Sequence, residues 1–173
     1  MLTEVCMNYI EKAKQLLHEF KGESYVYGRN VLPQVGTIAK GAGTRAFLVA
    51  DSFPGSEVYV KTITVSLNNA GVELVKQVSG PGPNAPLEDL YRITDELKAS
   101  DADILISFGG GSTIDALKAA EVLRTLGGDV EDYFGVGNVT KVVEKQKAVL
   151  TPHIAIQTVA SSGAHLTKYS NIT

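Results

Sequence analysis

Two short stretches are apolar at nearly every position: Ala46-Phe47-Leu48-Val49-Ala50 and Ile104-Leu105-Ile106-Ser107-Phe108. A strand with one wet face alternates apolar and polar residues, whereas a strand apolar on both faces must be covered on both. Such strands belong to a parallel sheet, and the segments between them should be helices that cross over it. The spacing agrees. Helices are predicted over Glu57–Ala70, stopped by Gly71; over Leu87–Ser100, with Leu90, Ile93 and Leu97 on one face; and over Ser112–Leu126, ended by Gly127-Gly128. A weaker helix spans Val31–Lys40 and closes at Gly41. Further strands are expected at Glu73–Val78 and His153–Ile156, and a short one at Ser24–Tyr27. Ser79 to Pro86, dense in Gly and Pro, permits neither helix nor ladder. An amphipathic helix is expected over residues 5–21, and the charged stretch Lys141–Lys147 as a solvated turn or loop. The fold class is α/β, a parallel sheet flanked by helices. With 173 residues, one such domain can bury about 70% of its unfolded surface.

Composition removes several function classes. Sixteen Lys and Arg stand against 19 Asp and Glu, a net charge of −3, so no basic excess exists to neutralise a nucleic-acid backbone. Cys6 is the single cysteine, which excludes a disulfide framework and a CxxC site. No apolar run reaches about 18 residues, so no membrane span is expected. The free thiol and an N-terminus carrying Glu4, without a long apolar core, favour a reducing, cytoplasmic setting. The histidines His18, His153 and His165 lack HxxxH spacing, so a metal site made from this chain alone is not expected.

Two glycine clusters compete for attention. Gly41-Ala42-Gly43-Thr44-Arg45-Ala46 matches GxGxxG/A as a string, but it leaves a helix and enters a strand. A dinucleotide fingerprint must do the reverse, so this cluster is read as a helix C-cap and turn. Gly109-Gly110-Gly111-Ser112 follows a buried strand and precedes a helix. There the first helical turn offers free N–H donors and a partial positive charge to an anion, and glycines let the backbone approach closely. The cluster is read as a phosphate or pyrophosphate cradle, with Ser112 as helix N-cap and hydroxyl donor. Asp51 ends the first long strand at the same rim. It is either an acceptor for ribose hydroxyls, which would repel a 2′-phosphate, or a loop aspartate capping a turn. Asp115 and Lys118 lie on the following helix, Asp115 as dipole partner or as an orienting contact to the loop or ligand, and Lys118 equally as a site residue or as an ordinary surface lysine. Thr158 to Thr167, rich in hydroxyls and small residues, suits a loop pressed against a cofactor, with His165 as a loop histidine near a ligand.

Phe108-Gly109-Gly110-Gly111-Ser112-Thr113-Ile114-Asp115-Ala116-Leu117-Lys118 resembles the GGGSxxDxxK signature of the iron-containing (group III) alcohol dehydrogenases, in the dehydroquinate-synthase-like superfamily. Ala50-Asp51, Pro83-Asn84-Ala85-Pro86 and Gly128-Asp129-Val130-Glu131-Asp132-Tyr133 stand in that family's order, and Thr158 to Thr167 resembles its T-x-A-G-T-G-S-E-x-T segment. The resemblance covers residues 24–173, with residues 1–23 as an added N-terminal helix. It implies a Rossmann-like domain binding NAD or NADP, with NAD favoured by Asp51. Gly110, Gly111 and Ser112 would bind the pyrophosphate and Asp51 the adenosine ribose, while Asn84, Asp115, Thr158, Ser162 and Thr167 line the cofactor site. It further implies hydride exchange between nicotinamide and a small alcohol or an aldehyde or ketone. A divalent metal, iron or zinc, would be held by residues of a helical domain beyond residue 173. A homodimer is common in the family. Ser161 and His165 depart from the family's usual Gly and Glu. Two other readings accompany this one: a glycerol-1-phosphate dehydrogenase-like or dehydroquinate-synthase-like enzyme domain, and a stand-alone nucleotide-binding module without catalysis.

Overall fold

The structure is a computed structural model that describes residues 2–160 and 163–173. The chain divides into two compact units, Met1–Val31 and Leu32–Thr173. In the first, helix α1 (Leu2–Lys21) leads into a 3₁₀ turn, Gly22–Ser24. The strand expected at Ser24–Tyr27 does not form. A strand exists only through its ladder, and no described strand pairs with this stretch. Tyr25 and Tyr27 instead stack their rings, centroids 5.8 Å apart. Among the described residues no helix is long and apolar enough to cross a membrane.

The second unit is a four-stranded, wholly parallel sheet in the order β2-β1-β3-β4: β1 Arg45–Ala50, β2 Glu73–Ser79, β3 Ile104–Gly109, β4 His153–Gln157. The two all-apolar runs are its two central strands, paired from Ala46 with Ile104 to Ala50 with Phe108. Their side chains alternate between two cores. Phe47, Val49 and Leu105 point into the core that holds Leu90, Ile93 and Leu97 of α4 (Leu87–Lys98) and Ala116, Leu117, Ala120 and Leu123 of α5 (Gly111–Leu126). Ala46, Leu48, Ile104, Ile106 and Phe108 face Val35 and Ala39 of α2 (Val35–Lys40) and Ile63 and Leu67 of α3 (Ser56–Asn69). This two-sided burial is what the runs demand.

The stretch Lys141–Lys147, expected as a turn or loop, falls mostly within a helix, α6 (Asn138–Gln146). Val139, Val142 and Val143, at i, i+3 and i+4, are half-buried and give the charged run an apolar stripe. None of its residues is fully buried, which is why the stripe is faint in the sequence.

The decoy glycines are structural. Gly41 donates to the carbonyls of Thr37 and Ile38 as the C-cap of α2. A Cβ on Gly43 would overlap the carboxylate of Asp103. That carboxylate accepts from the N–H groups of Thr44 (2.8 Å) and Arg45 (2.7 Å), tying the start of β1 to that of β3. Burial pushes the Asp103 carboxyl up, but these donors outweigh it and hold it below the usual range.

The crossing of α2 and α3 depends on Gly36, whose N–H donates to Ser66 Oγ (2.9 Å) while that hydroxyl donates to Pro33 O (2.6 Å). A Cβ on Gly36 would overlap the Ser66 carbonyl, which is backbone and cannot rotate away. Gly36→Ala is expected to cost about 2 kcal/mol of stability, read as a lower denaturant midpoint. A pH effect follows from His153, whose Nε2 lies 2.8 Å from Ser107 Oγ. Burial, with the Lys118 ammonium as second cause, pushes this imidazole down to about 4. Between about pH 6.5 and 4 the unfolded chain therefore binds a proton that the folded chain refuses. Stability is full above that window and falls by up to about 3 kcal/mol as pH drops through it. Urea titrations at about pH 7 and about pH 5 should show this loss, and His153→Gln should flatten the dependence.

Candidate functional site

Chain order creates a crevice. From β1 the chain runs through α3 on one face to β2 at one edge, and from β3 it leaves through α5 on the other face. The carboxyl ends of β1 and β3 are thus neighbours whose following helices diverge, which is a topological switch point, where open α/β sheets bind ligands. Asp51 follows β1 there, Gly109 ends β3, and Thr158 follows β4, its N–H donating to Gly109 O at 3.0 Å.

The helix that opens onto this crevice, α5, has no side-chain cap. Gly110, extended at φ −80° and ψ −171°, is its N-cap, which corrects the expectation that Ser112 takes this place. The strand continues one residue further than its apolar run, through Gly109, and the helix begins one residue earlier, at Gly111. The Gly110 N–H donates to Asp51 Oδ2 (2.9 Å), and its carbonyl accepts from Ile114 N–H (3.2 Å). The N–H groups of Gly111, Ser112 and Thr113 have no acceptor among the described residues. Three such donors at the positive end of a 16-residue helix fit a phosphate anion. Ser112 Oγ accepts the Asn84 N–H (3.0 Å), and its own proton remains available for donation.

Asp51 sits in a tight junction. Its N–H donates to Phe108 O (2.9 Å), one carboxylate oxygen accepts from Gly110 N–H, and the other accepts from the Thr113 hydroxyl. A Cβ on Gly109 or on Gly80 would overlap this carboxylate. Gly109 therefore has a different task from its neighbours: it clears room for Asp51, while Gly110 and Gly111 open the helix. Thr113, only 1% exposed, is the participant that sequence reasoning misses. A threonine in an amphipathic helix carries no signal until β1 is known to lie beside β3.

The remaining candidates separate into two groups. Asn84 (φ 64°) and Ala85 (φ 52°) form a left-handed corner beside Ser112, held also by Thr173, whose hydroxyl donates to Asn84 O (3.0 Å). Asp115, 6% exposed, turns instead into the fold. Its carboxylate accepts from Asn171 N–H (3.2 Å) and pairs with Lys118 Nζ (3.3 Å). Lys118 also donates to the carbonyls of Ala164 and Tyr169 (2.5 and 2.8 Å), which sets aside its reading as an ordinary surface lysine. Together they fasten the segment after the crevice to α5. Thr167 follows a 3₁₀ turn, Ala164–Leu166, that contains His165. Ser162 and Ser161 lie outside the described residues. No three His, Cys, Asp or Glu side chains among the described residues stand close enough to hold a metal ion.

Fold and strand order define an open, doubly wound α/β protein with a switch point between β1 and β3. The model of the iron-containing alcohol dehydrogenase family matches residues 22–173, and the chain belongs to that family. It is 32% identical over 149 residues to an NAD-dependent methanol dehydrogenase of Bacillus methanolicus, covering 86% of this chain and 37% of that protein. It is 30% identical over 146 residues to a sulfoacetaldehyde reductase of Bilophila wadsworthia, covering 84% and 36%. Among solved structures, NADH-dependent butanol dehydrogenase A from Thermotoga maritima superposes with a TM-score of 0.67 at 26% identity, covering 80% of this chain and 33% of that one. The chain thus spans little more than a third of the curated relatives it matches.

Proposed function

We propose that this chain is the NAD(P)-binding part of a metal-dependent alcohol dehydrogenase, acting on a small alcohol or its aldehyde or ketone. The observation that carries this reading is the set of N–H groups at Gly111, Ser112 and Thr113, without acceptors among the described residues, at the start of α5 beside the switch point. A pyrophosphate there gains charge-assisted hydrogen bonds and the field of α5 together. The bound dinucleotide would supply the nicotinamide carbon that gives or takes hydride. The N–H groups of Gly111, Ser112 and Thr113 hold its phosphates, Gly110, whose own N–H is taken by Asp51, lets the phosphates approach closely, and the Asn84 N–H donates to Ser112 Oγ. The Asp51 carboxylate accepts from ribose hydroxyls and disfavours a 2′-phosphate, so NAD is preferred to NADP. Thr158, which follows β4, and Thr167 line the cofactor site. No three His, Cys, Asp or Glu side chains among the described residues are grouped to hold a metal by themselves. The names of the relatives, dehydrogenases and reductases of small alcohols and aldehydes, support the substrate class.

Gly111→Val tests the cradle, because a branched side chain beside the open donors blocks close approach of an anion. NADH affinity measured by calorimetry should fall at least tenfold, with the fold retained by circular dichroism. Unchanged affinity would remove the phosphates from this loop.

A further inference from the structure

We infer that Thr113 is a specificity-determining residue: through its hydroxyl it aims the Asp51 carboxylate and thereby sets the preference for a dinucleotide with a free 2′-hydroxyl over one with a 2′-phosphate. The inference rests on the cofactor reading above and adds to it a residue that does not itself touch the ribose.

Four elements converge on one carboxylate. Asp51 follows β1, Gly80 follows β2, Gly109 ends β3, and Gly110 and Thr113 belong to the start of α5. The two glycines at positions 80 and 109 suit this junction because the carboxylate occupies the space where their Cβ atoms would stand. At Gly80 a Cβ would meet the oxygen that Thr113 holds, and at Gly109 the oxygen that Gly110 holds. The carboxylate is thus boxed on two sides by backbone and pinned at both oxygens. Each pinned oxygen retains a lone pair, since a carboxylate offers about four acceptor sites. Asp51 therefore stays able to accept from a hydroxyl while its direction is fixed by its neighbours.

The two pins differ in kind. The Gly110 N–H is backbone and is present whatever the side chains are. Among the described residues, the Thr113 hydroxyl is the one side-chain donor to the Asp51 carboxylate, and it is buried. Removing it frees one oxygen to rotate about the carboxyl carbon, away from the direction in which it meets a ribose. A fixed negative charge discriminates against a phosphate more strongly than a mobile one, because a mobile carboxylate swings aside to relieve the repulsion. The pyrophosphate donors lie on the backbone and do not depend on this hydroxyl.

The test uses the full chain and its Thr113→Val and Thr113→Ser variants, with NADH and NADPH titrated separately by calorimetry. Valine keeps the shape and removes the hydroxyl; serine restores it. The expected result is a ratio of NADH to NADPH affinity that falls at least fivefold in Thr113→Val, chiefly through tighter NADPH binding, and returns to within twofold of wild type in Thr113→Ser. Equal weakening of both dinucleotides in Thr113→Val would show a merely structural role and overturn the inference. So would an unchanged ratio. If valine lowers stability too far for titration, Thr113→Ala removes the same hydroxyl; its ratio should fall likewise, and an unaltered ratio there overturns the inference as well. Failure of the wild-type chain to bind either dinucleotide overturns the cofactor reading itself, and is distinct from binding with an insensitive ratio.

Discussion

The carboxylate of Asp51 reaches residues that lie 59 and 62 positions away in the chain, Gly110 and Thr113. Its position follows from the parallel pairing of β1 with β3, which brings Ala50 opposite Phe108 and lets Asp51 N–H reach the Phe108 carbonyl. A backbone N–H at a helix start is satisfied by an anion, and Asp51 supplies one for Gly110 alone. The next three N–H groups have no acceptor among the described residues. The same junction thus satisfies one donor of the helix start and leaves the next three without an acceptor among the described residues.

Packing and site are linked through α5. Its inner face, Ala116, Leu117, Ala120 and Leu123, lies against β1 and β3 and fixes the helix axis. Its first turn then faces the carboxyl rim. Asp115 and Lys118, one turn further on and paired with each other, secure the 164–171 segment by three contacts to its backbone. Glu121 continues the pattern, accepting from Thr151 N–H (2.7 Å) just before β4. One helix therefore carries the open donors, the tether of the following segment and the tether of the last strand. The small residues on its core side let it lie close to the sheet.

How much of this is legible in the sequence depends on the range of the interaction. The two central strands are readable because full burial leaves a run apolar at nearly every position. The helix bounded by Gly111 and Gly127 is readable because its ends are marked by glycine. The glycine-opened helix start is legible because it needs only consecutive residues. The roles of Gly80, Gly109 and Thr113 are not, since each depends on a neighbour in another strand or helix. Ser112 reads as an N-cap for a related reason: the aspartate that takes the first donor stands far away in the sequence. The absent strand at Ser24–Tyr27 shows the converse, a β-prone tetrapeptide with no described strand to pair with.

Amide chemical shifts of the isotopically labelled chain during titration with NADH test the central claim most directly. If the open donors of α5 hold the pyrophosphate, the resonances of Gly111, Ser112 and Thr113 move most and saturate together, while those of Gly41 and Gly43 stay fixed. Saturable binding that shifts the Gly41–Gly43 turn, or any surface other than the switch-point crevice, and leaves Gly111 to Thr113 unmoved would contradict it.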